Sequence, residues 1–372
     1  MTFSDWREQL NELETVKNAP SKRIVYHLSH NDLDGYSCHL VAKRFLGETK
    51  RFNSGYGAEV AAKLTLIGSL IEKAPQRNEN IVLISDLNIA KEDCKLAEKI
   101  RDRLTRDGYK IELRLLDHHK SGEALAQEFD WYFLDSTRCA TKIVYDWCVD
   151  RGENPQAAND DELAEYVACV NAYDLWLQED SDRFEFGKAL NRLVADSREI
   201  SSLLFGFEDN DYRLSVLNEA FAYLKGYKNI DLDDNILAIK KRYLKENGEL
   251  DTIDNLAARF VTKLLVKNRD RMSVNYEGHK GILTYQIGNI SVLGNAFLRE
   301  CPDYHFFLDV NRFGSISLRS NDKVDVSVMA GKLFGGGGHA NASGGKIREF
   351  KEVFTYDQLF ERINAMLNAY SF

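Results

Sequence analysis

Proline is scarce in this chain, four in 372 residues, and few runs are rich in serine and glycine. That scarcity argues against long disordered linkers. No window approaches the roughly 18 uncharged apolar residues of a membrane helix, so no membrane span is expected. The opening stretch MTFSDWREQLNELETVKNAPSKR lacks the apolar core of a signal peptide. It reads as a short helix with a tail, and the protein is expected in the cytoplasm. No C-x-x-C pair occurs. Cys38, Cys94, Cys139, Cys148, Cys169 and Cys301 are scattered, which suits reduced core thiols better than disulfides or a zinc site. Positive charge is also in deficit. A net charge of −9 does not suggest bulk binding to nucleic acid, though a small anion can still sit in a locally positive pocket. No internal repeat is visible.

What is present is an ordinary globular mixture, 44% hydrophobic and 29% charged, long enough for two or three domains. The first half alternates strand and helix patterns. RIVYHLS, NIVLIS, KIELRLL and WYFLD read as short apolar strands. Helices are expected after Gly35, from Lys91 to about Arg106, near Thr141–Val149 and over Asp161–Leu177. That alternation predicts an α/β domain with a doubly wound, mainly parallel sheet over 1–180. Residues 181–270 are helical in period and read as a connector. From about Arg271 strands return in RMSVNYEG, KGILTYQIG, HFFLDVNR and SISLRS, with helices near Ser291–Glu300, Val326–Leu333 and Tyr356–Tyr370. The segment 271–372 is therefore expected to be a smaller α/β domain with a mixed sheet.

Three strands of the first half end in the same chemistry. IVYHLS runs into His30, Asp32 and Asp34; IVLIS runs into Asp86; IELRLL runs into Asp117, His118 and His119. In an open α/β sheet, ligands sit beyond the carboxyl ends of the strands, so these side chains converge if the strands are parallel neighbours. Asp174 lies among apolar and aromatic residues in VACVNAYDLW, where a carboxylate is costly to bury unless paired or ligating. Imidazole with several carboxylates and no thiolate suits a hard divalent ion such as Mn²⁺ or Mg²⁺. The donors are too many for one ion with open positions. Two ions about 3.5–4 Å apart account for them better. Asp32, Asp34, Asp86 and Asp174 would balance the charge of two divalent cations. Each Asp alone could be a mere helix cap, but the same event at three strand ends is not. His27 and His39 read as packing or surface residues, and His279 and His305 as structural residues without companions.

A second feature is FGGGGHANASGG, residues 334–345, with six glycines in twelve positions. It is not a P-loop, because the Gly-Lys-Ser/Thr ending is absent. Gly336, Gly337 and Gly338 would let backbone N–H groups approach a phosphate or base closely. His339 and Asn341 would add side-chain donors, and Arg319 is a natural bidentate phosphate partner. KIREF after the run looks strand-like. Tyr56, in RFNSGYG, is read as a surface turn before a base-stacking residue.

HNDLDG, ISDLN, LLDHHKSG and VNAYDLW together resemble the four motifs of the DHH phosphoesterase superfamily. SLRS, DVSVMAGKLFGGGGH and ANASGG resemble its DHH-associated domain. The resemblance implies a hydrolase of phosphoric esters or anhydrides with two Mn²⁺, Mg²⁺ being possible. It implies that His30, Asp32 and Asp86 hold one metal, and that Asp34, Asp86, His118 and Asp174 hold the other, with Asp86 bridging. By the same resemblance His119 contacts the scissile phosphate or assists the leaving group, and Asp117 orients a ligand histidine. Arg319, His339 and the glycines would grip the nucleotide from the far wall of a cleft. Within the superfamily the chain most resembles NrnB-type oligoribonucleases. That implies a 3′→5′ exoribonuclease releasing nucleoside 5′-monophosphates from short RNA or linear dinucleotides. A cyclic-dinucleotide phosphodiesterase and a 3′-phosphoadenosine 5′-phosphate phosphatase remain alternatives. An inorganic pyrophosphatase fits less well, since those relatives space the first motif differently. Oligomeric order stays open, a homodimer among the options.

Overall fold

The computed structural model describes residues 22–246, 248 and 250–369. The helix expected in the first 23 residues lies outside them, save for its last two positions. Two compact units emerge, 22–197 with 210–239 and 198–209 with 240–369.

In the first unit, strands β1 (Arg23–His30), β2 (Thr49–Ser54), β3 (Glu79–Ser85), β4 (Lys110–Asp117) and β5 (Tyr132–Leu134) form one sheet ordered β2-β1-β3-β4-β5. Every pairing is parallel. The interiors of β1 and β3 are buried throughout, the signature of a sheet covered on both faces. Helices α1 (Leu33–Leu46), α2 (Ala58–Glu72), α3 (Lys91–Arg106), α4 (Glu123–Glu128), α5 (Ala140–Asp150), α6 (Pro155–Ala158), α7 (Asp161–Asp174) and α8 (Ser181–Asp196) complete it, with most of α9 (Gly206–Ala220) and α10 (Asn229–Leu244). The order places the topological switch between β1 and β3, where the connections depart in opposite directions and a crevice opens at the carboxyl ends. Registers Ser29↔Ser85 and Ser85↔Leu116 bring the ends of β1, β3 and β4 level.

The second unit carries α11 (Ile253–Met272) and a six-stranded mixed sheet. Its strands are β6 (Ser273–Tyr276), β7 (His279–Tyr285), β8 (Phe306–Val310), β9 (Ser315–Ser320), β10 (Gly337–His339) and β11 (Ala342–Lys346), ordered β10-β11-β9-β8-β7-β6. Only β7 and β8 pair in parallel. Helices α12 (Ile290–Glu300), α13 (Val326–Phe334) and α14 (Tyr356–Asn368) accompany it. The fold class is the one expected. Two strands are not where the sequence puts them. The polar stretch TKRFNS is the edge strand β2, and the last strand is ASGGK, which takes in Lys346 of KIREF and leaves the following IREF irregular. All six cysteines are buried and free. Among the described residues, no helix is long and apolar enough to cross a membrane.

Candidate metal centre

The centre is built where β1 meets α1. Asp32 caps the helix, its Oδ1 accepting from the Gly35 N–H at 3.0 Å, while its Oδ2 lies 2.7 Å from His30 Nδ1. The cap and the cluster are therefore one residue doing both tasks. A Cβ on Gly35 would lie 2.1 Å from the His30 carbonyl oxygen, so only glycine lets the first helical turn fold against the strand end. Asp34 follows in that turn, 1% exposed. Its two oxygens accept from the N–H groups of Ala140 and Thr141, each at 2.8 Å. The N-terminus of α5 thus holds this carboxylate.

Asp86 leaves β3 in the left-handed region, φ 55°, with its N–H on the Leu116 carbonyl at 3.1 Å. It is 2% exposed and stands between two donor sets. On one side are His30 and Asp32; on the other, His118 Nε2 is 3.3 Å from Asp86 Oδ1, 3.6 Å from Asp174 Oδ2 and 3.9 Å from Asp34 Oδ2. Atoms bound about 2.1 Å from one ion stand about 3–3.5 Å from each other. His30, Asp32 and Asp86 offer donor atoms all within 4.8 Å of one another; so do Asp34, His118 and Asp174, and so do Asp86, His118 and His119. All six residues expected to be ligands converge.

The electrostatics favour a cation. Burial first, then the charges of Asp34, Asp32 and Asp174, push the Asp86 carboxyl well above its ordinary range. Burial, with Asp34 and Asp32, pushes Asp174 up to about 8. Asp86 Oδ2 and Asp174 Oδ2 are buried without a hydrogen-bond partner. Buried polar atoms left so are rare unless something absent satisfies them. Burial also lowers His118, leaving its imidazole neutral with a lone pair to share. The residues fit divalent ions held by oxygen and imidazole.

His119 shares the third of these donor groups with Asp86 and His118 and is also bonded from behind. Its Nδ1 lies 2.7 Å from Asp117 Oδ1, and the Tyr132 hydroxyl donates to Asp117 Oδ2 at 2.7 Å. Hydrogen bonding to the fully buried Asp117 raises the pKa of His119. Asp117, expected to orient a ligand histidine, is bonded to His119 on one oxygen and to Tyr132 on the other.

No family model matches the chain. It is 39% identical over 346 residues to a 3′,5′-cyclic-nucleotide phosphodiesterase from Helicobacter pylori, covering 92% of this chain and 99% of that protein. The chain belongs to the DHH phosphoesterase superfamily. It is also 28% identical over 351 residues to oligoribonuclease NrnB of Bacillus subtilis, covering 89% of this chain and 75% of that protein. A crystal structure of an uncharacterized protein from Helicobacter pylori G27 matches with a TM-score of 0.83 at 38% identity, covering 93% of this chain and 99% of that one.

His27 and His39 of this DHH chain pack as expected, while His279 and His305 depart from expectation. Tyr56 is 51% exposed, yet its ring centroid is 4.9 Å from that of His30 and its hydroxyl 3.4 Å from His119 Nε2, so it borders the centre. His27 and His39 are fully buried and joined Nδ1 to Nδ1 at 3.0 Å, with His27 Nε2 2.8 Å from Ser85 Oγ behind Asp86. Burial lowers both pKa values. His279 and His305 have companions after all, each other, at 3.2 Å. Tyr132 and the backbone donors of Ala140 and Thr141 carried no sequence signal. Gly122 did: it ends the third motif, and a Cβ there would lie 2.1 Å from the Tyr132 hydroxyl oxygen.

The glycine run in the second unit is a tight hairpin. Gly335 ends α13 at φ 58°, and residues 337–339 pair with 342–344. A Cβ on Gly336 would lie 1.9 Å from the Gly344 carbonyl oxygen, so close backbone packing needs glycine there. Gly337, Gly338 and His339 form the exposed edge strand. The Asn341 amide is engaged with Asp322, donating to its carboxylate at 2.5 Å and accepting from its N–H at 2.9 Å. Arg319 donates to the Leu318 carbonyl and the Ser291 hydroxyl, at 2.7 and 2.8 Å.

Proposed function

We propose that this phosphodiesterase hydrolyses the P–O3′ bond of small nucleotides and releases a 5′-monophosphate. The observation that carries the reading is Asp86, buried between His30 with Asp32 and His118 with Asp34 and Asp174. Divalent ions held there, two Mn²⁺ in this reading with Mg²⁺ as the alternative, supply positive charge to the phosphoryl oxygens and a water that is nucleophilic near neutral pH.

The chain's own residues complete the chemistry. Asp117 takes the Nδ1 side of His119, so Nε2, 3.4 Å from the Tyr56 hydroxyl, is the nitrogen proposed to face a substrate. His119, its pKa raised by that bond, carries a proton to the departing O3′. The helix terminus that binds Asp34 holds this carboxylate in place through two peptide N–H groups. Arg319 is proposed as a phosphate contact, since its partners are neutral groups that leave its charge for an anion. The hairpin glycines, His339 and Asn341 are proposed to shape the same binding region.

Two substrate classes share this bond. In a 3′,5′-cyclic nucleotide, breaking P–O3′ opens the ring to the 5′-monophosphate. In short RNA, it frees the 3′-terminal residue as a 5′-monophosphate. The 39% identity to a cyclic-nucleotide phosphodiesterase along nearly its whole length supports cyclic nucleotides as the first reading. The similarity to an oligoribonuclease supports 3′→5′ exonuclease action on short RNA as the second reading.

The test is a panel of 3′,5′-cyclic AMP, a diribonucleotide, a longer RNA, a cyclic dinucleotide and 3′-phosphoadenosine 5′-phosphate, with Mn²⁺, with Mg²⁺ and after chelation. Expected is 5′-AMP from cyclic AMP or the diribonucleotide at the highest initial rates, with no turnover after chelation. A 3′-monophosphate product, or turnover that survives metal removal, would overturn the proposal.

A further inference from the structure

Trp176 is 61% exposed, while Trp131 is 2% exposed. It follows the candidate ligand Asp174 by two residues, which keeps their Cα atoms within about 7 Å. Its backbone sits at φ 60°, a region that bulky side chains rarely occupy. The turn that imposes this is tied by the Trp176 N–H on the Tyr173 carbonyl at 3.1 Å and by Leu177 N–H on the Ala172 carbonyl at 2.8 Å. The indole packs perpendicular to Phe184, ring centroids 5.0 Å apart, and lies 6.1 Å from Tyr173. The fold therefore props a large aromatic ring two residues beyond the candidate ligand Asp174 and leaves most of it in solvent. Packing gains little from that arrangement, and a bound planar ring gains much.

Tyr56 is the second exposed aromatic at this centre, and it comes from a different element, the loop after β2. It borders His30 and His119. A phosphoester held at the centre would thus have an aromatic ring at the Asp174 side and another at the His119 side.

We propose that Trp176 is a nucleobase platform: it stacks on the base of the nucleotide whose phosphate lies at the metal centre, and Tyr56 borders the leaving-group side. The proposal rests on the nucleotide reading above. Stacking uses the π-face that every base has, so the platform gives affinity with little choice between bases.

The test uses the full chain with Mg²⁺ and follows tryptophan fluorescence on titration with 5′-AMP and with ribose 5-phosphate, which lacks the base. Expected is saturable quenching by 5′-AMP and none by ribose 5-phosphate. Trp176→Ala should abolish the quenching and weaken 5′-AMP binding about 5- to 150-fold. Trp176→Phe, which keeps a ring, should recover most of that affinity. In turnover the alanine variant should raise KM with kcat held within about 3-fold. Equal quenching by ribose 5-phosphate, or 5′-AMP affinity and KM unmoved in Trp176→Ala, would overturn the platform, including the case in which Trp176 serves a protein partner. The two readings fail separately. Base-dependent quenching without hydrolysis refutes the phosphodiesterase reading alone; hydrolysis with an unmoved KM refutes the platform alone.

Discussion

Tyr132 stands two hydrogen bonds behind His119, through Asp117, and is in none of the candidate donor groups. Its hydroxyl satisfies the second oxygen of a carboxylate that has no exposure to water. Tyr132→Phe leaves that oxygen unpaired, which should cost about 1–3 kcal/mol of stability. It should also loosen His119 and slow turnover of nucleotide substrates about 10- to 100-fold, the usual loss for a residue supporting a catalytic group. The decisive comparison is with a p-nitrophenyl phosphodiester, whose leaving group departs without a proton. If His119 assists departure, the variant should lose far less on that substrate; an equal loss on both would show a merely structural Tyr132. The sequence made the motif residues legible because their side chains end strands in sequence order. Tyr132 was hidden because its role follows from the pairing of β4 with β5, which sets Leu115 beside Tyr132 and Asp117 beside Leu134. Asp34 is fixed by peptide N–H groups of Ala140 and Thr141, and such donors have no residue signature at all.

Among the elements, the buried strands β1, β3 and β4 were legible as continuous apolar runs, and their parallel order makes the tips converge. Edge strands were harder. β2 is polar along TKRFNS, and β10, with β11 beside it, is rich in glycine, so none of the three shows hydrophobic alternation. β8 carries a further consequence. All five of its residues are buried, Asp309 among them, and that carboxylate accepts from the Thr284 hydroxyl at 2.8 Å and the Ile287 N–H at 3.3 Å. Burial pushes its pKa up to about 7 against those two bonds. The folded form therefore holds a proton that the unfolded chain releases near pH 4. Stabilisation is complete below that pH and is lost as pH rises through about 7, because the native state binds the extra proton. The loss by pH 8 should be on the order of 4 kcal/mol. Urea unfolding of the wild type between pH 4 and 8 should show that decline, and Asp309→Asn should flatten it. Equal pH slopes in the two proteins would refute this assignment.

For the molecule as a whole, the candidate metal centre sets stability against function. Four carboxylates, Asp32, Asp34, Asp86 and Asp174, crowd a buried site, and two of their oxygens lack partners. Without cations, that crowding works against the fold, as the raised pKa values of Asp86 and Asp174 require. The overall charge of −9 makes the same demand at longer range. Ions that bind the folded chain and not the unfolded one add about 2.7 kcal/mol at a hundredfold excess over Kd. For units of this size that should raise Tm by about 5–11 °C. Asp86→Asn separates the two effects. It removes a buried charge, so in metal-free buffer the variant should melt at or above the wild-type temperature. It also removes the carboxylate shared by both donor sets, so most of the Mn²⁺-induced rise and the hydrolytic activity should vanish together. Differential scanning calorimetry with and without Mn²⁺ measures both. A variant that melts well below the wild type in metal-free buffer, or keeps the full Mn²⁺ shift, would show that Asp86 is a structural carboxylate and not the residue on which two ions converge.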